Sequence, residues 1–338
     1  MTSSATVQLQ VGNAIPPGNE KETQEIIEFW HRANAFFENL SFKAQGKLGG
    51  SANAYHISLD AGELVAAMEN ARDQSGSFSG HQLAYVDDPA HTITAGLSVT
   101  VSTEDHTITE EESYQVATVF IQQLVIAVNL ARPGAIRLLD TRYAGAGAHK
   151  YEAQSFDSRI YYGALKASQE NQWPPLKQLS LETVWAWLDD TQSSQKDTAI
   201  KSINEVLFTM LKVAENRHEY SARTALMVMY QLEIILDCRQ VNSLADVYHR
   251  TGLILEHRPQ SDEWLSELQG ARNSLFTASV PVHRPPLICH TTEHALRQQS
   301  GQHHSAVESG TALVLALLHD LVAHGAQRYR FSETMVRD

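Results

Sequence analysis

In the segment SDEWLSELQGARNSLF, Trp264, Leu265, Leu268, Leu275 and Phe276 recur at helical spacing. Arg272 falls four residues after Leu268, in line with that apolar stripe. A guanidinium in such a stripe is costly unless a carboxylate meets it. Glu233 is placed in the same way inside YQLEIIL, with apolar neighbours on nearly every side. Two buried charges of opposite sign on adjacent helices predict a pair. The pair has two readings. One is a structural salt bridge that fixes helix register. The other is a phosphate-facing arginine held by a carboxylate, since a guanidinium grips two phosphate oxygens at once. Spacing alone favours the structural pair.

Other residue patterns carry weaker chemistry. HTTEH, His290 to His294, matches a zinc signature of two histidines one turn apart with a glutamate base. It follows HRPPLIC and precedes QQSGQ, a loop-like setting that offers no third ligand. His304 with the His319-Asp320 dyad matches part of a metal-dependent phosphohydrolase pattern, but no intervening helix fits in the gap. Five of the sixteen histidines fall between His283 and His304, and most of these read as solvated loop residues. YAGAGAHK lacks the Lys-Ser/Thr of a phosphate loop, and Trp185 and Trp187 read as core anchors. No cofactor and no metal site is expected.

The elements that must position these residues differ between the two halves. HTITAGLSVTVSTED alternates Ile93, Ala95, Leu97, Val99 and Val101 with small polar residues, the period of a half-buried strand. EESYQVATVFIQQLVIAVNLARPG places Tyr114, Thr118, Phe120, Leu124 and Val128 at helical spacing and ends at Pro133-Gly134. AIRLLDTRYAG reads as another short strand. NQWPPLKQLS, with Pro174-Pro175, is the best boundary.

Beyond it come helices. TAIKSINEVLFTMLKVAE puts Ile203, Val206, Leu207, Met210, Leu211 and Ala214 on one stripe. RTALMVMYQLEIILD, apolar nearly all round, predicts a central buried helix. SLADVYHRTGLILEH follows, with Ser243 as N-cap, and then the Arg272 helix with Ser261 as N-cap. AVESGTALVLALLHDLVAHGAQRYR closes the set. The expected fold is therefore α+β, with a mixed, strand-containing domain over 1–175 and an all-α bundle over 176–338.

The 338 residues are 43% hydrophobic and 19% charged, an ordinary globular composition. The opening residues MTSSATVQLQ show no secretory pattern. The most apolar run is interrupted by His319 and Asp320, so no membrane association is expected. Cys238 and Cys289 read as buried thiols of a reducing compartment, which makes the cytoplasm the default. Net charge is −13, spread as 13 Lys+Arg against 24 Asp+Glu in residues 1–200 and 13 against 15 in residues 201–338. An acidic surface opposes non-specific nucleic-acid binding, so any such site is local and lies in the second half.

Taken in order and spacing, MVMYQLEIILDCRQ, LADVYHRTGLIL and WLSELQGARNSLF resemble the C-terminal part of the HEPN superfamily, particularly its Apea-like branch. The likeness covers about residues 197–330 and rests on Leu232-Glu233, Arg250-Thr251 and above all Arg272-Asn273. It implies a helical bundle that forms a homodimer, with two copies of an Arg-Ser/Asn-x-x-x-His motif facing each other. In active members the pair is a metal-independent ribonuclease, in which the histidine moves the proton and the arginine stabilises phosphate charge. Such proteins serve bacterial conflict and phage-defence systems. Here Thr277 stands where the histidine is expected, and threonine shuttles no proton near pH 7.

The site the resemblance implies is Arg272, Asn273 and Glu233, with His283 as the substitute base. The leading expectation is an HEPN effector that cleaves or binds RNA or a nucleotide. The alternative is a catalytically silent regulatory or interaction module, with a separately encoded partner supplying what is missing. A metal-dependent hydrolase built on the histidine cluster ranks third.

Overall fold

The computed structural model describes residues 2–12, 20–45, 50–74, 94–145, 148–215, 220–238, 244–255, 263–277, 279 and 303–332. The fold is α+β, and the chain divides into two compact units. The first comprises Met1–Gly163, Gln178–Thr198 and Met210–Arg217, and the second Ala164–Lys177, Ala199–Thr209 and His218–Asp338. Pro174 and Pro175 fall in the first stretch of the second unit.

The first unit is built on a five-stranded sheet of β1 (Ser3–Gly12), β2 (Leu40–Gln45), β3 (Ala52–Asp60), β4 (Thr94–Thr103) and β5 (Leu139–Ala144), in the order β2-β3-β4-β1-β5. Every pairing is antiparallel. Period-two alternation gives the sheet one dry and one wet face. Val7, Leu9 and Val11 pair with Val99, Leu97 and Ala95, and all six side chains are buried. On the other face Thr6 lies opposite Thr100, their hydroxyls 3.0 Å apart. The strand expected from HTITAGLSVTVSTED is β4. Ala95, Leu97, Val99 and Val101 all point into the core, while Ile93 lies outside the described residues.

Helices α1 (Glu20–Phe36), α2 (Gly62–Gln74), α3 (Glu110–Ala131) and α5 (Leu181–Thr191) complete this unit. The pattern read in EESYQVATVFIQQLVIAVNLARPG is α3, which packs on β1, β2 and β4. Its start is a capping box. The Thr109 hydroxyl accepts the Glu112 N–H, and the Glu112 carboxylate accepts the Thr109 N–H. Its end is followed by Gly134 at φ 81°, a left-handed conformation that favours glycine. Phe36, Phe37, Phe42, Phe120 and Trp185 meet edge to face or tilted at the centre of the core.

The second unit is helical. It holds α7 (Ala222–Ile235), α8 (Leu244–Leu255), α9 (Glu263–Phe276) and α10 (His304–Ala323), while α4 (Arg159–Asn171) and α6 (Ile203–Glu215) each begin in one unit and end in the other. In α6 the stripe Ile203, Val206, Leu207, Met210, Leu211 and Ala214 is buried throughout. Helices α7, α9 and α10 pack against one another, and α8 lies on α9. They meet closely at Gly310, where a Cβ would come within 2.6 Å of Leu268 Cδ1 and 2.7 Å of Val228 Cγ1.

Two helices, α3 and α10, are long and apolar enough to cross a membrane, yet 67% and 83% of their most apolar windows are buried against the rest of the protein. Their apolarity is used in packing. Ser243, Ser261 and Cys289 lie outside the described residues. Cys238 is buried, and burial pushes its thiol up to about 11, which leaves it inert.

Candidate functional site

Arg272 and Glu233 meet. Arg272 Nη1 donates to Glu233 Oε1 at 2.6 Å, with 19% and 9% of the two side chains exposed. Glu233 stands in the last turn of α7, and that end is fixed from several sides. Cys238 N–H reaches back to the Glu233 carbonyl at 2.8 Å and Asp237 N–H to that of Ile234 at 3.2 Å, with Asp237 at φ 53°. This is the six-to-one and five-to-two closure of a Schellman turn. Arg250 of α8 then donates to the Leu236 and Asp237 carbonyls at 2.7 and 2.9 Å, and its guanidinium lies 4.6 Å from the Phe331 ring centre. Arg250 is thus a cation at a helix C-terminus. It positions the carboxylate's helix and takes no part in the pair.

The remaining residues of the motif sit at the end of α9. Asn273 is exposed, one residue round from Arg272. Its carbonyl accepts both the N–H and the hydroxyl of Thr277, each at 3.0 Å. The Thr277 hydroxyl also lies 2.8 Å from Ser279 Oγ. Thr277 therefore stands just past the end of the helix with its side chain turned onto the helix's own backbone. His283, like the HTTEH motif, lies outside the described residues.

His304 and His319 lie on the same helix fifteen residues apart, about 22 Å at the helical rise, so they cannot share a ligand. Asp320 binds Lys177 at 2.8 Å and accepts the Tyr329 hydroxyl at 3.0 Å. Among the described residues no group of three His, Cys, Asp or Glu side chains is arranged to hold a metal ion.

His304 belongs to a different cluster. Its ring stacks on Tyr220 at 4.1 Å, and the Tyr220 hydroxyl donates to Glu308 at 3.2 Å. His304 and Glu308 are 3.4 Å apart, the spacing of an ion pair. Burial nevertheless disfavours both charges. It lowers the His304 pKa, and together with nearby Glu170 it pushes Glu308 up to about 7. The contact is therefore not a full ion pair near pH 7. Because the folded-state pKa of Glu308 is raised, its contribution to stability is complete below the ordinary carboxylate range. That contribution is lost as pH rises through about 7. Glu308→Gln, neutral at every pH, is expected to match the native protein at pH 5 and to exceed its stability by about 1–2 kcal/mol at pH 8.5. Thermal unfolding at the two pH values measures the difference.

A further cluster escapes a reading along the chain. Tyr55 of β3, His106 of the β4–α3 loop and Glu112 of α3 converge. Glu112 Oε1 accepts the Tyr55 hydroxyl at 2.7 Å and lies 2.6 Å from His106 Nε2. Burial opposes ionisation of Glu112, but hydrogen bonds from Tyr55, His106 and the Thr109 N–H outweigh it and hold the carboxyl below its usual range. Burial and the same carboxylate push Tyr55 up to about 12. Beside this network is a cleft of about 350 Å³ lined by Gly50, Ser51, Asn53, His106, Thr107, Thr109 and Glu112. Only Thr-x-x-Glu at Thr109–Glu112, a capping-box pattern, marks any of this in the sequence. Tyr55 and His106 come together only through strand pairing and chain reversal.

Compared with protein-family models, curated proteins and solved structures, the chain matches none.

Proposed function

We propose that the second unit is an HEPN-like module that binds RNA or a nucleotide through Arg272, without cutting it unaided. The observation that carries this reading is the 2.6 Å contact between Arg272 and Glu233. One guanidinium N–H is held by a carboxylate, and a fifth of the arginine side chain remains at the surface beside exposed Asn273. A planar guanidinium held in place and partly at the surface is the donor geometry that matches phosphate oxygens. The absence of cleavage follows from Thr277, whose hydroxyl is engaged with the Asn273 carbonyl and cannot relay protons near neutral pH. The reading includes a homodimer through the helices. Exposed Leu253 and Tyr230 are side chains of the kind a second copy would cover. It also includes a separately encoded protein that supplies the missing chemistry, in the cytoplasm of a cell under phage attack.

The test is retention and cleavage of a mixed single-stranded RNA pool by the purified protein in EDTA. The native chain is expected to retain RNA at micromolar concentration and leave it intact. Arg272→Lys keeps the charge but loses the planar fork, and is expected to weaken retention about tenfold. Thr277→His is expected to introduce cleavage that resists EDTA. Native protein that holds no RNA, or retention unaltered by Arg272→Lys, would overturn the proposal. The second reading, that the pair only sets the register of α7 against α9, would then stand on the burial of both side chains.

A further inference from the structure

The cleft beside His106 has a defined polarity. An ionised carboxylate only accepts hydrogen bonds, so the 2.6 Å contact with Glu112 Oε1 requires His106 Nε2 to carry the proton. In the neutral ring the lone pair then resides on Nδ1. Among the described residues Nδ1 has no hydrogen-bond partner, and 35% of the side chain is exposed in the cleft wall. The ring is further held edge-on to Tyr55, centroids 6.3 Å apart. The result is an oriented acceptor, its tautomer fixed by a buried glutamate that is itself fixed by Tyr55 and the capping box.

The rest of the wall narrows the choice of ligand. Ser51, Asn53, Thr107 and Thr109 offer hydroxyl and amide groups that both donate and accept, and among the described residues no lysine or arginine lines the cleft. The adjoining chain, Glu104-Asp105 before His106 and Glu110-Glu111 after Thr109, is strongly acidic. Among the described residues, Lys150 pairs with Glu110 at 3.7 Å and no ion pair reaches the other three. A phosphate or carboxylate ligand would be repelled. About 350 Å³ is at the small end of ligand sites.

We propose that this cleft binds a small uncharged polyol of sugar size, with one ligand hydroxyl donating to His106 Nδ1 and others exchanging hydrogen bonds with Asn53, Ser51 and Thr107. The site is separate from Arg272 and does not depend on the function proposed for it.

Ligand-observed NMR on the full chain tests this, with ribose, glucose and myo-inositol at millimolar concentration beside ribose 5-phosphate and glucose 6-phosphate. At least one neutral probe is expected to bind, and its affinity to fall about tenfold or more in His106→Ala. The phosphorylated probes are expected not to bind. Thr107→Trp places bulk at an exposed lining position without touching the Glu112 network, and is expected to abolish binding in a folded protein. Histidine 15N spectra, with His106 assigned by its loss in the alanine variant, should show the Nε2–H tautomer. The proposal is overturned if no neutral probe binds, if binding survives either substitution, if a phosphorylated probe binds as well as its parent, or if His106 carries its proton on Nδ1.

Discussion

Arg272→Ala is expected to lower the stability of the protein by about 3 kcal/mol, because it takes the ion-pair partner from a buried carboxylate rather than merely deleting a contact. Glu233 is 9% exposed and receives a 2.6 Å bond from Arg272. Removing one partner of a buried pair costs about 3–5 kcal/mol, because the survivor keeps its desolvation penalty and loses its compensation. The lower end applies here, since the vacated space lies near the surface and admits water. The double replacement Arg272→Met with Glu233→Leu removes both charges and keeps apolar bulk between α7 and α9. It is expected to stay within about 1 kcal/mol of the native protein, or to exceed it. Denaturant unfolding of the two single variants and the double variant therefore gives a large coupling. If the single substitutions prove harmless, the pair is solvated and fixes nothing. The double variant also separates folding from binding. A folded protein that no longer retains RNA assigns the arginine to the ligand, whereas undiminished retention assigns the pair to helix register.

Trp185→Ala is expected to have the larger effect, about 4 kcal/mol, in the range for emptying an aromatic site in a closed core. Trp185 is 1% exposed, and its ring lies 4.8 Å from that of Phe37, 5.7 Å from Phe120, 6.1 Å from Phe42 and 6.4 Å from Phe36. Those partners come from α1, α3, β2 and the turn after α1, so no single side-chain shift can fill the void. Trp185→Phe separates two contributions. It loses volume, but it also removes an indole N–H that is buried with no hydrogen-bond partner among the described residues. Leaving such a donor unpaired costs about 1–3 kcal/mol. The phenylalanine variant is therefore expected to lie within about 1 kcal/mol of the native protein. A loss comparable to that of alanine would mean that ring volume dominates and that the unpaired donor costs little.

Periodicity carried much of this architecture because it depends only on near neighbours. The alternation in HTITAGLSVTVSTED marks β4, and the stripe from Ile203 to Ala214 marks α6. Each pattern is the trace of one face being dry. The pairing of Arg272 with Glu233 was legible for a similar reason, since a charge inside an apolar run needs a partner and each helix offered one. What Arg250 does was not legible. Its two bonds to the Leu236 and Asp237 carbonyls depend on how α8 crosses the end of α7, and no spacing within either helix encodes that crossing.

The cleft in the first unit shows the same limit more sharply. Thr109 and Glu112 are three residues apart, and the capping box they form follows from local chemistry alone. Tyr55 reaches the same carboxylate from 57 residues away, through the register that sets Ile57 opposite Val101 and through the packing of α3 on the sheet. The sequence by itself determined the α+β composition, the dry face of each strand and helix, and the charges that had to be compensated. Only the tertiary structure decided which groups compensate them, because strand pairing and helix crossing are settled by the burial of whole faces, and a face can be read along a chain while its partner cannot.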